Sequence, residues 1–74
     1  MKFDKTYNKT IEELMELATV LQQQQNKQQS RDYTDEIEEE IGDVYMWLGE
    51  LSKRFDQNKI NKRIESKRLR YFNK

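Results

Sequence analysis

The sequence predicts an all-α protein: three helices that complete a helical bundle by associating with further copies of the chain. Apolar residues recur at steps of three and four along most of its length, and its 74 residues include no proline and only two glycines. Those two observations predict helices. A third predicts association, because 34% of the residues are apolar against 38% charged, and a chain this short buries too small a core to be secure alone. Residues 1–74 read as one domain.

The first helix is expected over about residues 6–25, where Ile11, Leu14, Met15, Ala18 and Leu21 form the apolar stripe. Leu17 and Val20 widen it enough for more than one neighbour. Gln22 to Gln25, with Gln28 and Gln29, can prolong a helix but offer nothing to bury, and Asn26 to Asp32 read as the connection. The second helix is expected over about residues 34–55, with Thr34 as N-cap and with Asp35 and Glu36 in the first turn, where the helix dipole favours negative charge. Its core positions Ile37, Ile41, Val44, Leu48, Leu51 and Phe55 follow at steps of 4, 3, 4, 3 and 4, a heptad-like seam. Asp56-Gln57-Asn58 reads as a break, and a third helix is expected over about residues 58–71, capped by Asn58. Its thin apolar side of Ile60, Ile64 and Tyr71 predicts a peripheral position.

Formal net charge is zero, but the charges are segregated. Residues 1–52 carry 12 acidic and 5 basic side chains, net −7, and residues 53–74 carry 2 acidic and 9 basic, net +7. Such a split fits either an acidic body with a nucleic-acid arm or a site that sets metal ligands beside phosphate ligands. The second reading uses both halves at once and is preferred, so nucleic acid is not the expected partner. With no histidine and no cysteine, His-dependent nucleophilic catalysis, His- or Cys-ligated zinc and disulfide chemistry are excluded. Gly42 and Gly49 stand alone, so there is no glycine-rich phosphate loop. No apolar run is long enough for a signal peptide or a membrane span, and a cytoplasmic protein without membrane contact is expected.

Two acidic words carry the functional signal: Glu12-Glu13-x-x-Glu16 on the first helix and Glu40-x-x-Asp43 on the second. Residues three or four apart on a helix share a face, so each word can aim its carboxylates in one direction. If those faces converge, at least four carboxylates surround one small volume, which calls for a cation. An all-oxygen set suits Mg²⁺, with Mn²⁺ as the alternative. At about 100° per residue, Glu36, Glu40, Asp43 and Trp47 form a strip beside the apolar seam, whereas Glu38 and Glu39 read as plain surface. Glu13 falls between Leu17 and Val20, an odd place for an unpaired carboxylate. Its competing explanation is a capping box with Thr10. Trp47 can stack on a nucleobase or pack at an interface. Lys67 and Arg70 can hold phosphate oxygens or complement a helix dipole, and Lys59, Lys62 and Arg63 compete for the same role.

The ordered words, on Thr10 to Leu17 and on Glu39 to Val44, followed by a basic helix, resemble the signature of the MazG-type all-α nucleotide pyrophosphohydrolases, in particular its small phage-type members. The resemblance implies that Glu13, Glu16, Glu40 and Asp43 are Mg²⁺ ligands, and that Glu12 orients a ligand or accepts a proton from water as the catalytic carboxylate. It further implies a nucleoside triphosphate substrate, cut to a monophosphate and pyrophosphate, with Lys67 and Arg70 on the phosphates. A homodimer or homotetramer is expected. The rival readings are a non-catalytic helical interaction module and a small nucleic-acid binder.

Overall fold

The computed structural model describes residues 3–26 and 31–72, among which there are three α-helices and no strand. They are α1 (Lys5–Gln25), α2 (Thr34–Ser52) and α3 (Gln57–Phe72). The protein is all-α, as its periodicity predicts. No helix among the described residues is long and apolar enough to cross a membrane.

Aspartates set two of the helix starts and frame the third. Asp4 caps α1 by accepting the Tyr7 N–H at 3.2 Å, while Arg54 Nη1 donates to its other oxygen at 2.8 Å. Asp32, not Thr34, closes the turn before α2: its Oδ1 accepts the Thr34 N–H at 3.0 Å and the Thr34 hydroxyl at 2.6 Å. Tyr33 occupies the cap position, and Thr34 is already helical. Asp56, not Asn58, caps α3 by accepting the N–H groups of Asn58 and Lys59 at 2.9 and 3.2 Å. The expected connection between α1 and α2 is described only at Asn26, Arg31 and Asp32; residues 27–30 lie outside the described residues.

The second helix ends three residues short of the predicted boundary. Arg54 N–H bonds to Leu51 O and Phe55 N–H to Ser52 O, tight turns that draw the chain off the helix axis. Gln57 Nε2 then donates to the carbonyls of Ser52 and Phe55 at 2.6 and 3.2 Å, which fixes the corner. Phe55 therefore leaves the heptad-like seam and is half exposed at 52%.

Cross-links between α1 and α2 run in opposite chain directions, Arg54 to Asp4 and Thr6, Thr10 to the Trp47 carbonyl, and the Tyr33 N–H to Gln24, so the two form an antiparallel hairpin. The face that α1 turns to α2 is Thr10, Glu13, Leu17 and Val20, of which the first two are buried and the others half-buried. This corrects the expected stripe: Ile11, Leu14, Met15, Ala18 and Leu21 are exposed. Opposite, Val44 and Tyr33 are buried, and Ile37, Ile41, Trp47 and Leu51 are half-buried.

The third helix buries no residue and has no extended interface with α1 or α2 among the described residues. Its Ile60 and Ile64 meet Leu48, Leu51, Ser52 and Phe55 only across an apolar groove of about 560 Å³. Spread over 42 × 42 × 20 Å, the chain exposes 6703 Å². A compact monomer of this mass exposes roughly 4,900 Å².

Candidate metal centre

Helix spacing and the antiparallel register converge the two acidic words. Glu12, Glu13 and Glu16 offer oxygens within 4.8 Å of one another, and so do Glu13, Glu40 and Asp43. Glu13 belongs to both groups and links them. It is also the most enclosed of the five at 7% exposure, with Glu40 half-buried and Glu12, Glu16 and Asp43 exposed.

The capping-box explanation for Glu13 does not hold, because α1 begins at Lys5 and both residues are in its interior. Thr10 instead donates its hydroxyl to Thr6 O at 2.7 Å and contacts Trp47 O at 3.4 Å. Glu13 Oε2 and Glu40 Oε2 are both buried without a hydrogen-bond partner. An unpartnered buried carboxylate oxygen is costly, and here two occur in one cluster.

The electrostatics agree. Burial, then the charges of Glu16 and Asp43, pushes the Glu13 carboxyl above its ordinary value. Burial also raises Glu40, reinforced by the adjacent Glu16 carboxyl and by the charges of Asp43 and Glu13. Lys9 is the nearby cation; it pairs with Glu12 at 3.4 Å and opposes the rise at Glu13 only in part. The donor set is carboxylate oxygen throughout, and it fits a hard divalent cation such as Mg²⁺ or Mn²⁺.

A groove of about 370 Å³ opens beside the cluster, lined by Met15, Glu16, Thr19, Val20, Gln23 and Glu40. Thr19 and Gln23 escaped the sequence reading. The available signal was their spacing of three and seven residues from Glu16, which places them on its face.

The structure thus brings Glu12, Glu13, Glu16, Glu40 and Asp43 together, and none of the other expected site residues joins their oxygen groups or lines the groove. Trp47 is half-buried at the Thr10 level of the hairpin, and it does not line the groove, which lies toward Val20 and Gln23. Lys67 and Arg70 lie on the detached α3, with no ion pair to the carboxylates among the described residues. The Lys67 ammonium sits 5.3 Å from the Tyr71 ring centre on its own helix. No protein-family model, curated protein or solved structure matches this chain, so its functional reading rests on its own residues.

Proposed function

We propose that the chain is a Mg²⁺-dependent nucleoside triphosphate pyrophosphohydrolase of the MazG-like kind, cytoplasmic and homo-oligomeric, which converts a triphosphate to a monophosphate and pyrophosphate. The observation that carries this reading is Glu13, buried at 7% exposure with Oε2 unpartnered and next to a second unpartnered oxygen on Glu40. A fold that encloses carboxylates in this way loses stability unless a cation joins them. Glu13, Glu16, Glu40 and Asp43 would hold that cation, which when bound supplies positive charge to phosphate oxygens.

The remaining roles follow from exposure and reach. Glu12 is exposed at the rim of the cluster, where it can orient the attacking water and accept its proton. Water oxygen bonds to the α-phosphorus as the bond to the α–β bridging oxygen breaks, and pyrophosphate departs. The groove beside Glu16 and Glu40 has room for part of a nucleotide, with Thr19 and Gln23 as polar contacts along its wall. Lys67 and Arg70, on α3 and apart from the cluster within one chain, would supply the charge that stabilises the leaving pyrophosphate, as the resemblance implies.

Surface area supports association: the chain exposes 6703 Å², roughly 1,800 Å² more than a compact monomer of its mass. The exposed Ile11, Leu14, Met15 and Leu21 also favour a second reading, a helical interaction module without catalysis. Pyrophosphate release from a panel of standard and modified nucleotides, with and without Mg²⁺ or Mn²⁺, separates the two. Metal-dependent release from any of them is the expected result, and none from all of them leaves the interaction module.

A further inference from the structure

We propose that α3 of one copy lies along the open carboxylate side of the α1–α2 hairpin of a second copy, so that each nucleotide site takes its acids from one chain and its cations from the other. This assignment rests on the nucleotide reading for what the cations do, but the pairing itself stands on geometry and charge.

Three observations lead to it. First, α3 is fixed away from its own hairpin. The Gln57 bonds to Ser52 and Phe55 pin the corner, and Arg54 ties the end of α2 back to Asp4 and Thr6. The corner that the sequence marks as Asp56-Gln57-Asn58 is thus built to project α3, not to fold it over Glu13 and Glu40.

Second, α3 carries Lys59, Lys62, Arg63, Lys67, Arg68 and Arg70 against the single acid Glu65. Lys59, Arg63, Lys67 and Arg70 form one row at steps of 4, 4 and 3, with about 6 Å of helix rise between most neighbours. Like charges so spaced oppose the helix that carries them. No ion pair among the described residues joins them to an acid. The acids they lack are on the hairpin, where Glu16 and Asp43 are exposed at the carboxylate cluster. Because the −7 of residues 1–52 balances the +7 of residues 53–74, two copies in reciprocal arrangement neutralise one another. A nucleic acid on the same row would bring a polyanion beside that acidic body, which the charge balance disfavours.

Third, the surplus area matches. An excess of roughly 1,800 Å² per chain over a compact monomer lies in the range that permanent homodimers bury. A helix with no buried residue contributes to such a surplus.

The chain has no cysteine, so a single substitution gives a unique labelling position. Ser66→Cys, which keeps every cation of α3, is spin-labelled at natural isotope abundance and mixed with ¹⁵N-labelled unmodified chain. Any broadening of the ¹⁵N spectrum is then intermolecular. The amides of Gln23, Glu40 and Asp43 are expected to lose most of their intensity, and adding Arg63→Glu and Lys67→Glu to the labelled chain is expected to restore it. Unchanged intensity at those amides overturns the pairing, as does broadening confined to Ile11 and Leu14. Broadening at the carboxylates in a protein that releases no pyrophosphate leaves the pairing standing and removes the nucleotide reading. Pyrophosphate release without broadening does the reverse.

Discussion

The α1–α2 hairpin encloses ionisable groups within its packing, whereas α3 turns nearly all of its charges to water. Glu13 is buried and Glu40 half-buried between helices that hold each other in place, but no residue of α3 is buried. A buried carboxylate must be offset by a cation, a proton or a hydrogen bond. A solvated lysine needs nothing. The hairpin is therefore the part of the molecule whose charges are constrained by the fold, and α3 is the part whose charges are free to meet something else.

The largest expected effect separates the two regions by kinetics. Asp43→Asn or Glu13→Gln should lower kcat for pyrophosphate release by at least about a hundredfold, since a lost cation ligand weakens charge stabilisation in the transition state. Under the proposed activity Lys67→Ala should act mainly on KM, because the phosphates it would contact are present before the reaction as well as during it. Equal losses in kcat from both regions would break the comparison.

Metal binding gives the next effect. If the carboxylates hold the proposed cation, Mg²⁺ at a hundred times its dissociation constant would add about 2.7 kcal/mol to stability, enough to raise the Tm of a small domain by roughly ten degrees or more. Asp43→Asn should abolish that response, and Arg63→Ala on α3 should leave it intact. Differential scanning calorimetry with and without Mn²⁺ or Mg²⁺ reads both.

How legible each region was follows from the same physics. Helix type and order were readable because periodicity, the absence of proline and the aspartate-containing breaks are local signals. The face of α1 was not. Ile11, Leu14, Met15, Ala18 and Leu21 make the more apolar stripe, yet α2 packs on Thr10, Glu13, Leu17 and Val20. Apolar content identifies a surface that gains from burial, but it does not say which of two candidate partners takes it. The end of α2 was misjudged at Phe55 because the seam's spacing continues through residues that the Gln57 side chain pulls into a corner. That each acidic word aims its carboxylates one way was readable from i, i+3 and i, i+4 spacing; that the two words meet depends on the antiparallel register of the hairpin. The distance of Trp47 and α3 from the groove depends on tertiary register and on that corner, which no spacing records.

Acidity should act on the hairpin with a definite sign. The carboxyls of Glu13 and Glu40 are raised above the ordinary 4.5, so the folded state holds protons that the unfolded state releases. Their penalty is present at neutral pH and is relieved as pH falls through the raised values, so the metal-free protein should gain stability as pH falls from neutral toward the ordinary carboxylate value. Below that the trend should reverse. Asp4 and Asp32 are held below the ordinary 3.8 by Arg54 and the Tyr7 N–H and by Thr34 respectively, and their stabilisation is lost as pH falls through those lower values. Glu13→Gln should flatten the first part of this curve, and saturating Mg²⁺ should flatten it too. A Tm that falls steadily from neutral pH would contradict the enclosed carboxylates.

The smallest effect concerns the open side of α2. Gly42 and Gly49 are seven residues apart on one face, and a Cβ added at either would meet nothing within 4 Å. Neither has a positive φ. Within a single chain, Gly42→Ala and Gly49→Ala should each therefore stabilise the helix by up to about 1 kcal/mol, through reduced backbone entropy of the unfolded chain. The control Ser66→Ala raises the helix propensity of α3 but within a single chain should leave the hairpin's melting unchanged, because the two regions share only the apolar groove at the corner. If the glycine substitutions instead lower the Tm and weaken self-association, the bare strip on α2 is where another helix approaches closely. A lower Tm with association unchanged would mean that the packing of α1 on α2 differs from the hairpin described above.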